Sequence, residues 1–243
     1  LVVCDSKGVI RTDRPGLDEL KAGFATDKEL HTLEDAVKGA DIFLGLSVAD
    51  MLTPDMLKSM AEKAIVFALA NPDPEIDYDL AMQTRSDIIM ATGRSDHPNQ
   101  VNNVLGFPYI FRGALDVRAT GINEEMKLAA VKAIAKLARQ PVPEIVIKAY
   151  NLKSLNFGPE YLIPKPFDPR LLTTVTPAVA RAAMETGVAS KQITDWDAYE
   201  RELKRRMGID ENILQLLSNR AKQNPKRIVF AEAEDYRILK AAE

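Results

Sequence analysis

Cysteine is nearly missing. Cys4 stands alone among 243 residues, which excludes an intramolecular disulfide framework and a cysteine-built zinc site. Histidine is almost as scarce, with His31 and His97 only, so a histidine-rich metal centre is excluded as well. No apolar run approaches the roughly 18 residues of a membrane-spanning helix, and the most apolar stretch, residues 64–70, has strand length. Neither sign of charge dominates. Lys and Arg total 32 against 35 Asp and Glu, a formal net charge of -3, and that balance argues against a chain devoted to nucleic-acid phosphates. The sequence contains no Gly-x-Ser-x-Gly elbow, Walker loop, His-Glu-x-x-His pair or EF-hand loop. The opening Leu1-Val2-Val3-Cys4-Asp5 lacks the basic lead and apolar core of a signal peptide, and is expected to begin inside a strand. The expected location is cytoplasmic, with neither membrane nor nucleic acid as partner.

What is present is an ordinary globular composition, 46% hydrophobic and 28% charged, enough to bury a core. Short apolar runs at 1–4, 41–46, 64–70 and 87–91 alternate with helical patterns. One helix is expected at about 17–25, and another after Thr32, where Thr32-Leu33-Glu34-Asp35 has the spacing of a helix start. Thr53-Pro54-Asp55 opens a third, with proline where its missing N–H costs nothing. Runs that are apolar on both parities and separated by helices predict a parallel sheet buried on both faces. Further on, helices are expected at 123–138 and 176–186, with an ordered extended arm at 157–169 where prolines recur. Charged helices follow over 196–223, and 227–242 reads as a fresh strand-to-helix start. If Asp5 ends the second strand of a dinucleotide fold, the first strand and its glycine-rich loop belong upstream. The expected fold class is therefore α/β, a Rossmann-like parallel sheet missing its first strand, followed by a mainly helical C-terminal part.

In open parallel sheets ligands bind beyond the carboxyl ends of the strands, and four polar segments are expected there. Asp5, with Ser6 and Lys7, follows the first apolar run. An acid at that place accepts from adenosine ribose hydroxyls; with a 2′-phosphate present, Lys7 and Arg11 or Arg14 would have to offset it. The alternative is an exposed turn aspartate. Asn71, held by Pro72 at a strand end, presents an amide that both donates and accepts, suited to a ribose or a carboxylate; the alternative is an Asx-turn. Asn102 and Asn103 stand at the start of the next helix, either holding a carboxylate or capping that helix. His97, between Asp96 and Pro98, reads as a loop-packing histidine rather than an acid–base group, and His31 as exposed.

Three segments carry a family resemblance. Val3-Cys4-Asp5-Ser6-Lys7-Gly8-Val9-Ile10, Phe67-Ala68-Leu69-Ala70-Asn71-Pro72, and Thr92-Gly93-Arg94-Ser95-Asp96 through Pro98-Asn99-Gln100-Val101-Asn102-Asn103-Val104-Leu105 resemble the large bacterial malic enzymes. The likeness runs on through Phe157-Gly158-Pro159-Glu160-Tyr161 and Pro164-Lys165-Pro166-Phe167-Asp168-Pro169-Arg170 to about residue 191. The closing Asn224-Pro225-Lys226-Arg227-Ile228-Val229-Phe230-Ala231-Glu232 resembles the opening of the phosphotransacetylase-like domain fused to the hybrid members. The resemblance implies oxidation of malate with NADP (in some members NAD), then decarboxylation to pyruvate and CO2 with Mg2+ or Mn2+. It implies that Asn71 contacts cofactor and substrate, that Asn103 and Asn102 hold malate, and that Asp5, Ser6 and Lys7 border the adenosine ribose. It places the proton-transfer Tyr and Lys, the three acidic metal ligands and the glycine-rich loop upstream, so no catalytic residue and no metal ligand is expected here. His97 departs from the Tyr frequent in relatives. A homo-oligomer, with acetyl-coenzyme A regulating through the fused domain, is also implied. The expected organisation is an NAD(P)-binding domain at 1–140, a helical and extended part at 141–191, connector helices at 192–223 and the start of a phosphotransacetylase-like domain at 224–243. Two rivals remain: another NAD(P)-dependent hydroxy-acid dehydrogenase, and a non-catalytic nucleotide-binding or interaction module.

Overall fold

The computed structural model describes residues 1–208 and 220–222. The chain divides into two compact units, 1–192 and 193–243. The first opens with β1 (Cys4–Asp5), β2 (Gly8–Val9), α1 (Glu19–Ala22) and α2 (Leu33–Val37), followed by β3 (Ile42–Gly45), α3 (Pro54–Ser59), β4 (Ile65–Ala68), α4 (Tyr78–Thr84) and β5 (Ile89–Thr92). A 3-10 turn (Asn103–Leu105) then leads into α5 (Phe107–Asp116), α6 (Glu124–Ala138), α7 (Glu144–Ala149) and α8 (Arg170–Glu185). The second unit contributes α9 (Trp196–Arg206). The strand-to-helix start expected at 227–242 lies outside the described residues.

Local chemistry explains several boundaries. The Thr32 hydroxyl accepts from Asp35 N–H at 3.1 Å while the Asp35 carboxylate accepts from Thr32 N–H at 2.9 Å, a reciprocal capping box. Thr53 caps α3 by accepting from Met56 N–H, with Pro54 at the first turn.

Strands β3, β4 and β5 form a parallel sheet in that order, with Ile42 opposite Ile65 and Ile65 opposite Ile89. One face carries Phe43, Val66, Ala68 and Met90 into a core with Leu57 of α3, Ala81 of α4 and Val37 of α2. The other face is open at β3, where Ile42 is 63% and Leu44 58% exposed. The expectation of burial on both faces therefore fails at this strand, because α2, α3 and α4 all send their buried residues to the same side.

The expected strand at 1–4 does not join this sheet. Cys4 and Asp5 pair antiparallel with Val9 and Gly8, and Ile10 N–H donates to Val3 O at 2.8 Å. Its backbone groups find partners in the next few residues, where no crossover is needed. Gly8 makes the hairpin possible: its φ is +99°, and a Cβ there would stand 2.3 Å from His31 O. Downstream, α8 packs against both α5 and α6. Met126, Ala130, Ala133 and Leu137 of α6 and Leu171, Val175 and Val179 of α8 are buried. Helix α8 begins six residues before the expected Thr176 and runs straight through Pro177. The 157–169 arm forms neither helix nor strand, only a bridge between Gly158 and Tyr161.

Candidate functional site

Beyond the carboxyl ends of β4 and β5 opens a cleft of about 480 Å³. One wall is Ala70, Asn71, Pro72 and Pro74 after β4; the other is Gly93, Arg94, Ser95, Asp96 and Gln100 after β5. The strand ends place both walls: Leu69 N–H still donates to Gly45 O at 3.1 Å, and Val101 N–H returns to Thr92 O at 2.8 Å. Asn71 is exposed at this opening, and the peptide bond that follows it, Asn71–Pro72, is cis. Arg94 brings a cation. Its guanidinium grips Asp96 bidentately at 3.0 and 2.6 Å, and that hydrogen bonding holds the Asp96 carboxyl below the usual carboxylate range. The cleft thus presents one free amide beside an Arg94–Asp96 ion pair of no net charge, a polar opening at the mouth of a parallel sheet.

The other sequence candidates lie elsewhere. Asn102 accepts from Val104 N–H at 3.0 Å and so caps the 3-10 turn with its carboxamide oxygen, leaving its NH2 to donate. Asn103 is exposed as the first residue of that turn. Neither lines the cleft with Asn71. His97 stacks on Tyr78 with ring centroids 4.3 Å apart, and His31 is exposed.

Asp5, Ser6 and Lys7 sit on the β1–β2 hairpin, with Ser6 and Lys7 exposed. Asp5 is thoroughly engaged. It accepts from Lys7 N–H at 2.9 Å, from Arg14 Nη2 at 2.8 Å on both oxygens, and from Lys21 Nζ at 3.0 Å. The Lys7 amide first, then the two cations, hold its carboxyl far below the usual range. Arg14, together with Lys21, thus offsets Asp5. Arg11 is taken by Asp13, Glu29 and the Lys28 carbonyl.

Two residues near the cleft escaped sequence reasoning. Glu75 is fully buried. It accepts from Ser47 N–H at 2.8 Å, Ser47 Oγ at 3.2 Å and Ala70 N–H at 3.0 Å. A Cβ on Gly45 would stand 2.3–2.6 Å from its carboxyl atoms, so the strand needs glycine for the carboxylate to cross it. The signal was faint: an acid in a proline-rich strand-end segment, and a glycine closing a neighbouring strand. Asn99, also buried, has φ +53°. It donates to Met90 O and Pro159 O and accepts from Leu162 N–H, tying the cleft segment to the 157–169 arm.

The family model described as malic enzyme, NAD binding domain, matches residues 1–147. The NADP-dependent malic enzyme of Escherichia coli (strain K12) is 54% identical over 245 residues, covering 100% of this chain and 32% of that protein. The NAD-dependent malic enzyme of Rhizobium meliloti (strain 1021) is 50% identical over 243 residues, covering 99% and 32%. The crystal structure of Entamoeba histolytica malic enzyme superposes with a TM-score of 0.71 at 30% identity, covering 93% of this chain and 46% of that one. The chain spans about a third of the length of these curated relatives. With the strand-end cleft and a match over residues 1–147, the chain belongs to the malic enzyme NAD-binding domain family.

Proposed function

We propose that this chain is the dinucleotide-binding and adjoining helical part of an enzyme that oxidises malate with NADP or NAD and decarboxylates the product to pyruvate and CO2. The observation that carries this reading is the polar cleft holding Asn71 at the carboxyl ends of β4 and β5, in a chain whose relatives are named malic enzymes. When bound, the nicotinamide supplies the hydride acceptor. The residues of this chain bind and orient. Asn71 offers an amide to the cofactor and to malate, and Asn103 and the NH2 of Asn102 donate to a malate carboxylate. Asp5, Ser6 and Lys7 border the adenosine ribose, with Arg14 and Lys21 balancing Asp5.

Among the described residues no group of three His, Cys, Asp or Glu is placed to hold a metal ion. These residues therefore do not fit Mg2+ or Mn2+, and the proposal assigns the metal ligands and the proton-transfer Tyr and Lys to the part of the full-length protein beyond this chain. The proposal also includes a cytoplasmic homo-oligomer, supported by the exposed apolar residues Phe107, Phe111 and Leu115 at helical spacing on α5. Acetyl-coenzyme A regulation would act through a phosphotransacetylase-like domain that begins near residue 224. No helix among the described residues is long and apolar enough to cross a membrane.

The test uses the purified full-length protein with malate, Mg2+ or Mn2+, and NADP or NAD. Pyruvate and reduced cofactor are expected in equal amounts. Failure to form either overturns the reading, and steady turnover by the 243-residue chain alone overturns the assignment of the catalytic groups.

A further inference from the structure

The Glu75 carboxylate joins two loops. Its oxygens take Ser47 N–H and Oγ–H from the loop after β3 and Ala70 N–H from the peptide that delivers Asn71. The backbone completes the strap, with Leu52 N–H donating to Glu75 O at 2.9 Å and Asp50 N–H to Pro74 O at 3.3 Å. The three side-chain partners are all uncharged donors, so this is no ion pair. It is an acceptor-only group matched to a ring of donors, and Gly45 is bare at the one place where a side chain would block it. A glutamine has the same shape but must turn its NH2 towards one of those donors.

We infer that Glu75 is a positioning residue that aims the Asn71 carboxamide into the cleft by clamping the Ala70 amide to the Ser47 loop. The inference rests on the proposal that Asn71 serves cofactor and malate. Asn71 follows directly on the clamped peptide, and on its far side the chain turns back to Glu75 within four residues. Whatever loosens the carboxylate loosens both ends of that turn.

The test is Glu75→Gln in the full-length protein, alone and combined with Asn71→Ala. A crystal structure of the single variant is expected to show the Asn71 side chain displaced. Its kcat/KM for malate should fall at least ~10-fold, whereas in the Asn71→Ala background the same replacement should change kcat/KM less than ~2-fold, the non-additivity of residues acting through one another. An Asn71 still in its native orientation overturns the inference, as does an equal loss in both backgrounds, which is what a merely structural role produces. A displaced Asn71 with normal kinetics upholds the positioning and overturns the functional assignment of Asn71 instead. Should Glu75→Gln fail to fold, Ser47→Ala removes a single donor from the clamp. A loss of about 3-fold that disappears in the Asn71→Ala background is then expected, and an additive loss overturns the inference.

Discussion

Two carboxylates mark two regions of this molecule, and they are stabilised in opposite ways. In the hairpin region Asp5 keeps a fifth of its side chain in solvent and gathers two cations, Arg14 and Lys21, beside the Lys7 amide. In the strand-end region Glu75 is fully buried and gathers neutral N–H and O–H donors. Near water, mobile charged side chains satisfy a carboxylate and salt screens them. In the interior, a lone carboxylate is tolerable only if fixed dipoles already point at it. The first arrangement is a local cluster that can adjust; the second is a rigid joint between two loops.

The sharpest way to break this contrast is Glu75→Leu, which leaves the buried Ala70 amide, and the part-buried amide and hydroxyl of Ser47, without their acceptor. At ~1–3 kcal/mol for a buried orphaned donor, and less for donors that water can reach, a loss of about 2–3 kcal/mol is expected. Urea unfolding at low and high salt should show the loss unchanged between them; a loss that vanishes in salt would make Glu75 behave like Asp5.

Next in size is Asn71→Ala in the full-length protein. It should lower kcat/KM roughly five- to 150-fold with the fold intact, the effect of losing about 1–3 kcal/mol of polar contact. Asn71→Asp separates binding from turn formation, because aspartate keeps an Asx-turn yet repels a dicarboxylate; near-normal kinetics in that variant would return Asn71 to a turn role.

The asparagine pair sharpens the comparison further, since one partner is visibly a cap. Asn103→Asp should raise the malate KM at least ~10-fold, about 1.4 kcal/mol, with little change in Tm. Asn102→Ala should cost about 1 kcal/mol of stability through the lost Val104 cap as well as raising the malate KM, while Asn102→Asp keeps that cap and raises the KM alone. Steady-state kinetics and melting curves of the single variants check both assignments, and an unchanged malate KM in Asn103→Asp would make it no more than a turn residue.

The smallest effect belongs to Asp5→Asn, a modest drop in Tm that shrinks as salt rises. Its pH dependence has a definite sign. The folded carboxyl titrates below the ordinary value of about 3.9, so its stabilisation is present above about pH 4 and is lost as pH falls through the folded value. The Tm gap between wild type and Asp5→Asn should therefore be flat from neutral pH to about pH 5 and close on further acidification. A gap that widens in acid would contradict the ion cluster.

Much of this was legible from local sequence. The Thr32–Asp35 capping box and the Thr53-Pro54 helix start depend on residues within one turn, and both formed as spaced. The apolar runs near 42–45, 65–68 and 89–92 became the parallel sheet, and Asn71 emerged at a strand end because a strand that stops at Ala68 must release it there. The departures came where a segment had a nearer or better partner than the pattern implied. Residues 1–4 folded into a hairpin, α8 started just after Pro169, and one face of β3 stayed open.

The sequence by itself determined the α/β alternation, the caps, the polar strand ends and the family likeness, because each is written in residues a few positions apart. Only the tertiary structure decided that Arg14 and not Arg11 would meet Asp5, and that Glu75 would cross Gly45. The second choice joins groups brought side by side by strand order and register, and the 29 positions between Gly45 and Glu75 carry no periodicity that announces their meeting.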